Sequence, residues 1–85
     1  MFYAKCYQRD GLFNFYKVDE TKNPIVVEVV CFLNDPPHLR VDTYSSDTPS
    51  GRIEIDALKN YYPRISEDEY KTAFAKATAT NFKIL

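Results

Sequence analysis

Nine residues near the middle of the chain, Ile25 to Leu33, restrict most strongly how this sequence can fold. Eight of them are apolar, Glu28 interrupts the run, and prolines stand on both sides. A strand with one solvent-facing side alternates apolar and polar residues, and this stretch does not alternate. The sequence therefore predicts a strand that needs cover on both faces, in a chain of only 85 residues.

An aromatic-rich segment at the start of the chain predicts a β-hairpin over residues 2–18. Its two halves are separated by Asp10 and Gly11, a pair typical of a type I′ turn because both central residues of that turn need positive φ. With these two residues at the centre of the turn, regular pairing places Cys6 opposite Phe15. The hairpin supplies the first two strands of the sheet.

The region after the apolar run contains further predicted strands. Residues 38–44 and 52–56 alternate apolar and polar side chains, which predicts a fourth and a fifth strand. The polar stretch 45–51 between them is predicted to be a loop. Residues 57–65 fit neither pattern, and a short helix limited by a proline remains an alternative there.

The clearest helix signal covers residues 66–79. Ser66 and Glu69 have the spacing of a capping box, and acidic residues fill the first turn, where the helix dipole favours them. The helix is similar in style to the C-terminal helices of many short bacterial and phage proteins. The chemistry of helix formation alone explains this similarity. One apolar stripe follows the helical period: Tyr70, Ala73, Phe74 and Ala77.

These elements predict one α+β domain spanning 1–85. We expect an antiparallel sheet of four to five strands, beginning with the hairpin 2–18, with one C-terminal helix at about 66–79 packed on one face. Alternation along the strands and the hairpin register divide the side chains between two faces. The helix-covered face is predicted to carry Phe2, Ala4, Cys6, Phe13, Phe15, Ile25, Val27, Val29, Cys31, Leu33, Leu39 and Val41.

The other face is the predicted functional surface, because a single helix cannot cover both sides of the sheet. Tyrosines, aliphatic side chains and an arginine together are typical of protein interfaces. Residues 57–65 and 81–85 folding over this face is the alternative to a bound partner. We expect a protein partner, most simply a second copy in a homodimer, and the predicted contact residues are Tyr3, Tyr7, Tyr16, Val30, Phe32, Arg40 and Tyr44.

Composition argues for a non-enzymatic protein-interaction module that needs no cofactor and no metal. Two glycines exclude a glycine-rich phosphate loop, and two cysteines with one histidine do not give a zinc spacing. Cys31, His38 and Asp35 form only a nominal catalytic set, and His38 is predicted to be an exposed loop residue. The alternative function is single-stranded nucleic-acid binding, with bases stacked on the tyrosine-rich face. The net charge of −1 argues against binding of nucleic acid mainly through bulk positive charge.

The two cysteines and the single charge in the apolar run, Glu28, carry further predictions. Cys6 and Cys31 are predicted to be reduced and buried, and no signal-peptide pattern is evident, so we expect a cytoplasmic protein. No stretch approaches the roughly 20 apolar residues of a membrane span. Glu28 is predicted to pair with Lys5 or Arg40.

Overall fold

The long apolar stretch forms a central strand of the sheet. A computed structural model describes residues 1–33 and 37–79 and the backbone of 83–84. Its elements run in the order β1 (Phe2–Arg9), β2 (Leu12–Asp19), β3 (Ile25–Cys31), β4 (His38–Tyr44), α1 (Pro49–Asn60), β5 (Arg64–Ile65), α2 (Glu67–Thr78) and β6 (Lys83–Ile84). The strand order is β5-β1-β2-β3-β4-β6, antiparallel from β5 to β4, with β6 parallel to β4. The predicted α+β class, with an N-terminal hairpin and a C-terminal helix, is confirmed.

The predicted turn of the hairpin is confirmed, but the pairing register of its two strands differs from the predicted one by one residue. Asp10 and Gly11 have φ angles of 53° and 76°, as a type I′ turn requires. The pairing is interrupted between Tyr7 and Arg9, where Gln8 is an extra residue in β1 with no counterpart in β2. Such a β-bulge shifts the register of the remaining strand by one residue.

This shift makes the predicted face assignment wrong for half of the hairpin. Cys6 lies opposite Asn14 and not opposite Phe15, and Lys5 lies opposite Phe15. A one-residue slip moves every side chain of one strand to the other face relative to its neighbour. The phenylalanines of β2, Phe13 and Phe15, therefore share a face with the odd-numbered residues of β1.

The prediction of a fifth strand at 52–56 is wrong, because these residues belong to the helix α1. The Thr48 hydroxyl accepts a hydrogen bond from the Gly51 N–H at 3.1 Å, and Pro49 occupies the first turn of α1. Thr-Pro at this position is a helix start, because proline suits the first helical position, whose N–H would have no intrahelical acceptor. Gly51 is required there for space, since a side-chain carbon would overlap the carbonyl oxygen of Ser45.

The predicted C-terminal helix is confirmed within one residue at each end. The Ser66 hydroxyl accepts a hydrogen bond from the Glu69 N–H at 3.1 Å, as the capping-box spacing predicts. Tyr70, Ala73 and Ala77 are buried and form the side of α2 that faces the sheet. Two of these three are alanines, which lets the helix lie close to the strands.

Both faces of β3 are packed, each against a different helix. The predicted placement of α2 on the face of Ala4 and Cys6 is wrong, because α2 packs on the opposite face, where Val30 and Tyr70 are in one cluster. The face of Cys6 is packed against α1, in a cluster of Tyr16, Val18, Val27, Val29, Cys31 and Leu58.

Residues 57–65, the alternative cover for the sheet, do cover one of its faces: Leu58 and Tyr62 pack in the cluster on the α1 side. The side chains of 81–85, the other predicted cover, lie outside the described residues. So do residues 34–36, which include a proline that follows the apolar run. Among the described helices, none has the length and apolar character that crossing a bilayer requires.

The cysteines and the histidine sit deeper in the fold than loop residues would. Cys6 and Cys31 are free thiols, the first half-buried and the second buried. His38, predicted to be exposed in a loop, is a buried residue that begins β4, with Cys31 opposite it in the ladder. Strand pairing explains the burial, because His38 already belongs to β4 and lies opposite the buried Cys31 of the central strand.

Candidate functional site

The seven predicted contact residues do not lie on one surface. The bulge in β1 and the alternation along the strands divide them between the two faces of the sheet. On the α2 side lie Tyr3, Tyr7, Val30 and Phe32, and on the α1 side lie Tyr16, Arg40 and Tyr44. Val30 and Tyr16 are buried core residues, so neither is available to a partner at the surface of the folded chain.

An aromatic row on the α2 side leads from the hairpin end toward the centre of the sheet. The ring centroids are 5.5 Å apart from Tyr7 to Phe13, 6.3 Å from Phe13 to Phe15, and 5.7 Å from Phe15 to Phe32. Tyr7 is 58% exposed, and the other three rings are half-buried. These spacings are in the favourable range for aromatic pairs, so the rings form one continuous apolar surface.

A groove of about 320 Å³ lies between this aromatic row and the side of α2. We call it the aromatic groove, defined by Phe13, Phe15, Phe32, Thr72, Ala73 and Lys76. Thr72 and Ala73 line the α2 side of the groove with small side chains. Its volume is at the lower end of the range for ligand pockets, so it suits one or two side chains of a partner.

Charges at the rim of the aromatic groove are unevenly neutralised. Lys5 Nζ lies 3.1 Å from Glu69 Oε2 and 5.0 Å from the centre of the Phe13 ring. The Glu69 carboxylate is therefore paired, whereas Lys76 has no ion-pair partner within 1–33 and 37–79. The rim offers an uncommitted positive charge beside an apolar surface.

Glu28 has a partner other than the predicted ones. Tyr70 Oη donates a hydrogen bond to Glu28 Oε1 at 2.6 Å across the interface of α2 and β3. Lys5 is paired with Glu69, and Arg40 points from the opposite face and pairs with Asp42 at 2.8 Å. The charge in the apolar strand is thus satisfied by the helix that covers it.

Replacing Tyr70 by phenylalanine tests this contact. Tyr70→Phe removes the hydroxyl and leaves the half-buried Glu28 carboxylate without that donor, so the free energy of unfolding at pH 7 should fall by about 2 kcal/mol. Urea denaturation followed by circular dichroism measures it. Tyr61→Phe, at an exposed position on the other side of the sheet, is the control, and equal losses in both variants would contradict a specific Glu28 contact.

A second, polar cleft of about 480 Å³ lies between α1 and the sheet. Its lining includes Gln8, Asn14, Tyr16, Arg40, Tyr44 and Tyr62, so it contains the other three predicted contact residues. Asn14 is 8% exposed, and its Oδ1 has no hydrogen-bond partner in the described part of the chain. Burial raises the pKa of Tyr44 to about 12. This cleft presents amides and hydroxyls, and its arginine is already paired with Asp42.

Sequence reasoning included Phe32 among the contact residues but missed the other two phenylalanines of the aromatic groove, and it gave the helix residues of the groove no binding role. Phe13 and Phe15 were assigned to the helix-covered core, and Thr72 and Lys76 had no predicted role. A signal was present in the pair of Tyr7 and Phe13, since aromatic residues often face each other across antiparallel strands.

Two of the three nominal catalytic residues, Cys31 and His38, lie in the described structure, opposite each other in the ladder. Burial raises the pKa of the Cys31 thiol, which is opposite to the shift that activates a nucleophile. Asp35 lies outside the described residues. No group of three or more His, Cys, Asp or Glu side chains within the described ranges is placed to hold a metal ion. Comparison with known protein families, curated proteins and solved structures finds no match for this chain.

Proposed function

We propose that this chain is a non-enzymatic protein-interaction module that binds an apolar side chain of a partner protein in the aromatic groove. The observation that carries the proposal is the continuous row of rings from exposed Tyr7 to Phe32, open along α2. Exposed apolar surface at a concave site is the common mark of a binding surface. Aromatic side chains also supply large contact areas at protein interfaces.

The charges at the rim of the groove favour a partner segment that has an acidic residue next to its apolar side chain. Lys76 stands at the edge and has no ion-pair partner among the described side chains, while Glu69 is held by Lys5 at 3.1 Å. A carboxylate next to the anchor would meet Lys76 without displacing an existing pair. Complementary charge of this kind favours correct partners more than it adds affinity.

The residue types in the aromatic groove support binding rather than catalysis. Rings, a methyl group and an ammonium line most of it, and its carboxylate is paired. General acid-base or nucleophilic catalysis needs a group in reach of a base or acid partner. We also propose a reducing, cytoplasmic location, because both cysteines are free thiols and free thiols persist in such compartments.

A titration with N-acetyl-tryptophanamide, followed by ¹H–¹⁵N NMR, tests the aromatic groove directly. We expect the shift changes to concentrate on residues 11–15, 32 and 69–76, with affinity in the millimolar range typical of such small probes. Thr72→Arg fills the groove from an exposed helix position and should abolish these changes. Thr78→Arg is the matched control, an exposed threonine of the same helix that does not line the groove.

Shift changes that persist in Thr72→Arg, or that fail to appear in the wild type, would refute the aromatic groove as a site for apolar side chains. A parallel titration with a ten-nucleotide oligothymidylate tests the nucleic-acid alternative, in which bases stack on exposed rings. Oligonucleotide binding without peptide-like probe binding would favour that alternative over a protein partner.

A further inference from the structure

The helix α1 carries a second apolar surface that points away from the sheet. Its inward residues include Leu58, which is buried against the strands. Four other residues at spacings of four define what we call the outward stripe: Pro49, Ile53, Ala57 and Tyr61. Ile53 is 69% exposed and Tyr61 is 76% exposed. A helix that is apolar on two sides is expected to be buried on both.

Two opposite charges stand beside the outward stripe, one helical turn apart on the same flank. Arg52 Nη1 donates to the backbone oxygen of Ser46 at 3.3 Å, and Asp56 Oδ1 accepts from Asn60 Nδ2 at 2.7 Å. Neither Arg52 nor Asp56 forms an ion pair within 1–33 and 37–79. Both charges therefore remain available for an external partner.

This arrangement is complementary to itself under a two-fold axis. When two antiparallel helices are related by such an axis, each flank meets the same flank of the other helix. An axis level with Glu54 places Arg52 beside Asp56 of the second copy, and the reciprocal pair forms at once. With a rise of about 1.5 Å per residue, the two Ile53 side chains then meet near the axis.

The apolar residues fit the same register as the charges. With the axis at that height, Pro49 lies between Ala57 and Tyr61 of the second copy, and Ile53 lies beside Ala57 of the second copy. The small alanine gives the closest approach of the two helices, as in ridge-into-groove packing. One placement of the axis thus satisfies both the charge pairs and the apolar seam. The same placement brings the two exposed Glu54 side chains level with each other on the other flank, so the two Arg52–Asp56 pairs and the seam must outweigh one like-charge contact.

We propose that two copies of this chain associate through the outward stripe of α1, with antiparallel helices about a two-fold axis. Closed two-fold dimers are the commonest homo-oligomers. The aromatic groove lies on the opposite side of the sheet, so the dimer leaves it open and presents two grooves. This inference does not depend on what the groove binds, but a divalent partner would gain avidity from it.

Sedimentation equilibrium over micromolar to millimolar concentrations tests the dimer. Ile53→Glu places two carboxylates near the axis and should raise the dissociation constant at least tenfold while circular dichroism stays unchanged. Val41→Lys is the control, because Val41 is also an exposed apolar residue but lies on the other side of the sheet, opposite Glu28 in the ladder and outside the aromatic groove. A monomeric wild type at millimolar concentration, or a dimer unaffected by Ile53→Glu, would overturn the proposal.

A charge-exchange experiment tests the antiparallel register. Arg52→Asp makes the flank acidic in both copies, and Asp56→Arg makes it basic in both, so each variant alone should dimerise at least tenfold more weakly. A mixture of the two variants pairs an acidic flank with a basic flank at both contacts and should recover the wild-type dissociation constant. Failure of the mixture to recover it would exclude this register even if the dimer exists.

Discussion

Deleting Gln8 should leave the protein folded with nearly unchanged stability. Gln8 is the extra residue of the bulge between Tyr7 and Arg9, and β2 has no residue opposite it. Without it, Tyr7 pairs with Phe13 and Arg9 pairs with Leu12 as direct neighbours, which is a regular hairpin around the same turn. We expect the free energy of unfolding to change by less than about 1 kcal/mol.

Deleting Lys17, another half-buried polar residue of the same hairpin, should have the opposite outcome. Lys17 is paired on both sides, with Tyr3 in β1 and Glu28 in β3. Its removal moves the end of β2 by one position and brings Asp19 into the buried place of Val18, which is 2% exposed. An unpaired carboxylate in the core and the loss of an aliphatic side chain should cost about 4 kcal/mol or more.

Urea denaturation and one-dimensional NMR of the two deletion variants decide between the registers. The observed register predicts a folded variant without Gln8 and an unfolded or strongly destabilised variant without Lys17. If the hairpin instead had regular pairing with Cys6 opposite Phe15, deleting Gln8 would disrupt it. A loss of stability without Gln8 as large as that without Lys17 would contradict the bulge.

The bulge also explains why the predicted contact residues lie on both faces of the sheet and not on one. Asp10 and Gly11 specify the turn, and the turn residues were predicted correctly because type I′ geometry is local. Whether β1 is continuous or bulged two residues before the turn depends on which side chains each face accepts across the whole sheet. Sequence alternation alone leaves that choice open, so Tyr16 was grouped with Tyr3 although the two lie on opposite faces.

The two helices show the same difference between local and distant information. Helix α2 was predicted because Ser66 and Glu69 carry a complete local start signal. Helix α1 was missed because Ile53 and Ile55 alternate with charged residues like a strand, while its local signal, Thr48 followed by Pro49, was assigned to a loop. The aromatic groove depends on α2 and β2 meeting across the fold, which no local pattern encodes.

Above pH 10 the protein should lose stability steeply, because buried tyrosines keep their protons in the folded state. Burial raises the pKa of Tyr16, Tyr44, Tyr62 and Tyr70, to about 12 for Tyr44. Tyrosines of the unfolded chain ionise near pH 10. The unfolded state therefore releases protons first, so the stability that is present below pH 10 decreases as the pH rises toward the folded pKa.

The slope of this loss reports how many tyrosines take part. Each tyrosine that is ionised only in the unfolded state lowers the free energy of unfolding by about 1.4 kcal/mol per pH unit. For Tyr44 the decrease runs from about pH 10 to about pH 12, and it continues higher for groups with larger shifts. Guanidinium denaturation at half-unit intervals from pH 8 to pH 11.5 measures the slope, and a flat profile would contradict the burial of these phenols.

Tyr70→Phe isolates the contribution of one tyrosine, and the stability that this variant loses at pH 7 should become smaller as the pH rises above 10. At pH 7 the variant is less stable, because the hydrogen bond from Tyr70 to Glu28 at 2.6 Å is lost. Burial, and then that hydrogen bond, raise the pKa of Tyr70, so the wild type loses this advantage above pH 10 while phenylalanine has no proton to release. We expect the stability difference to shrink by about 1.4 kcal/mol per pH unit above pH 10 and to approach zero near pH 11.5. A difference that stays constant from pH 7 to pH 11.5 would show that Tyr70 titrates equally in the folded and unfolded chains, and that its contact with Glu28 does not hold its proton.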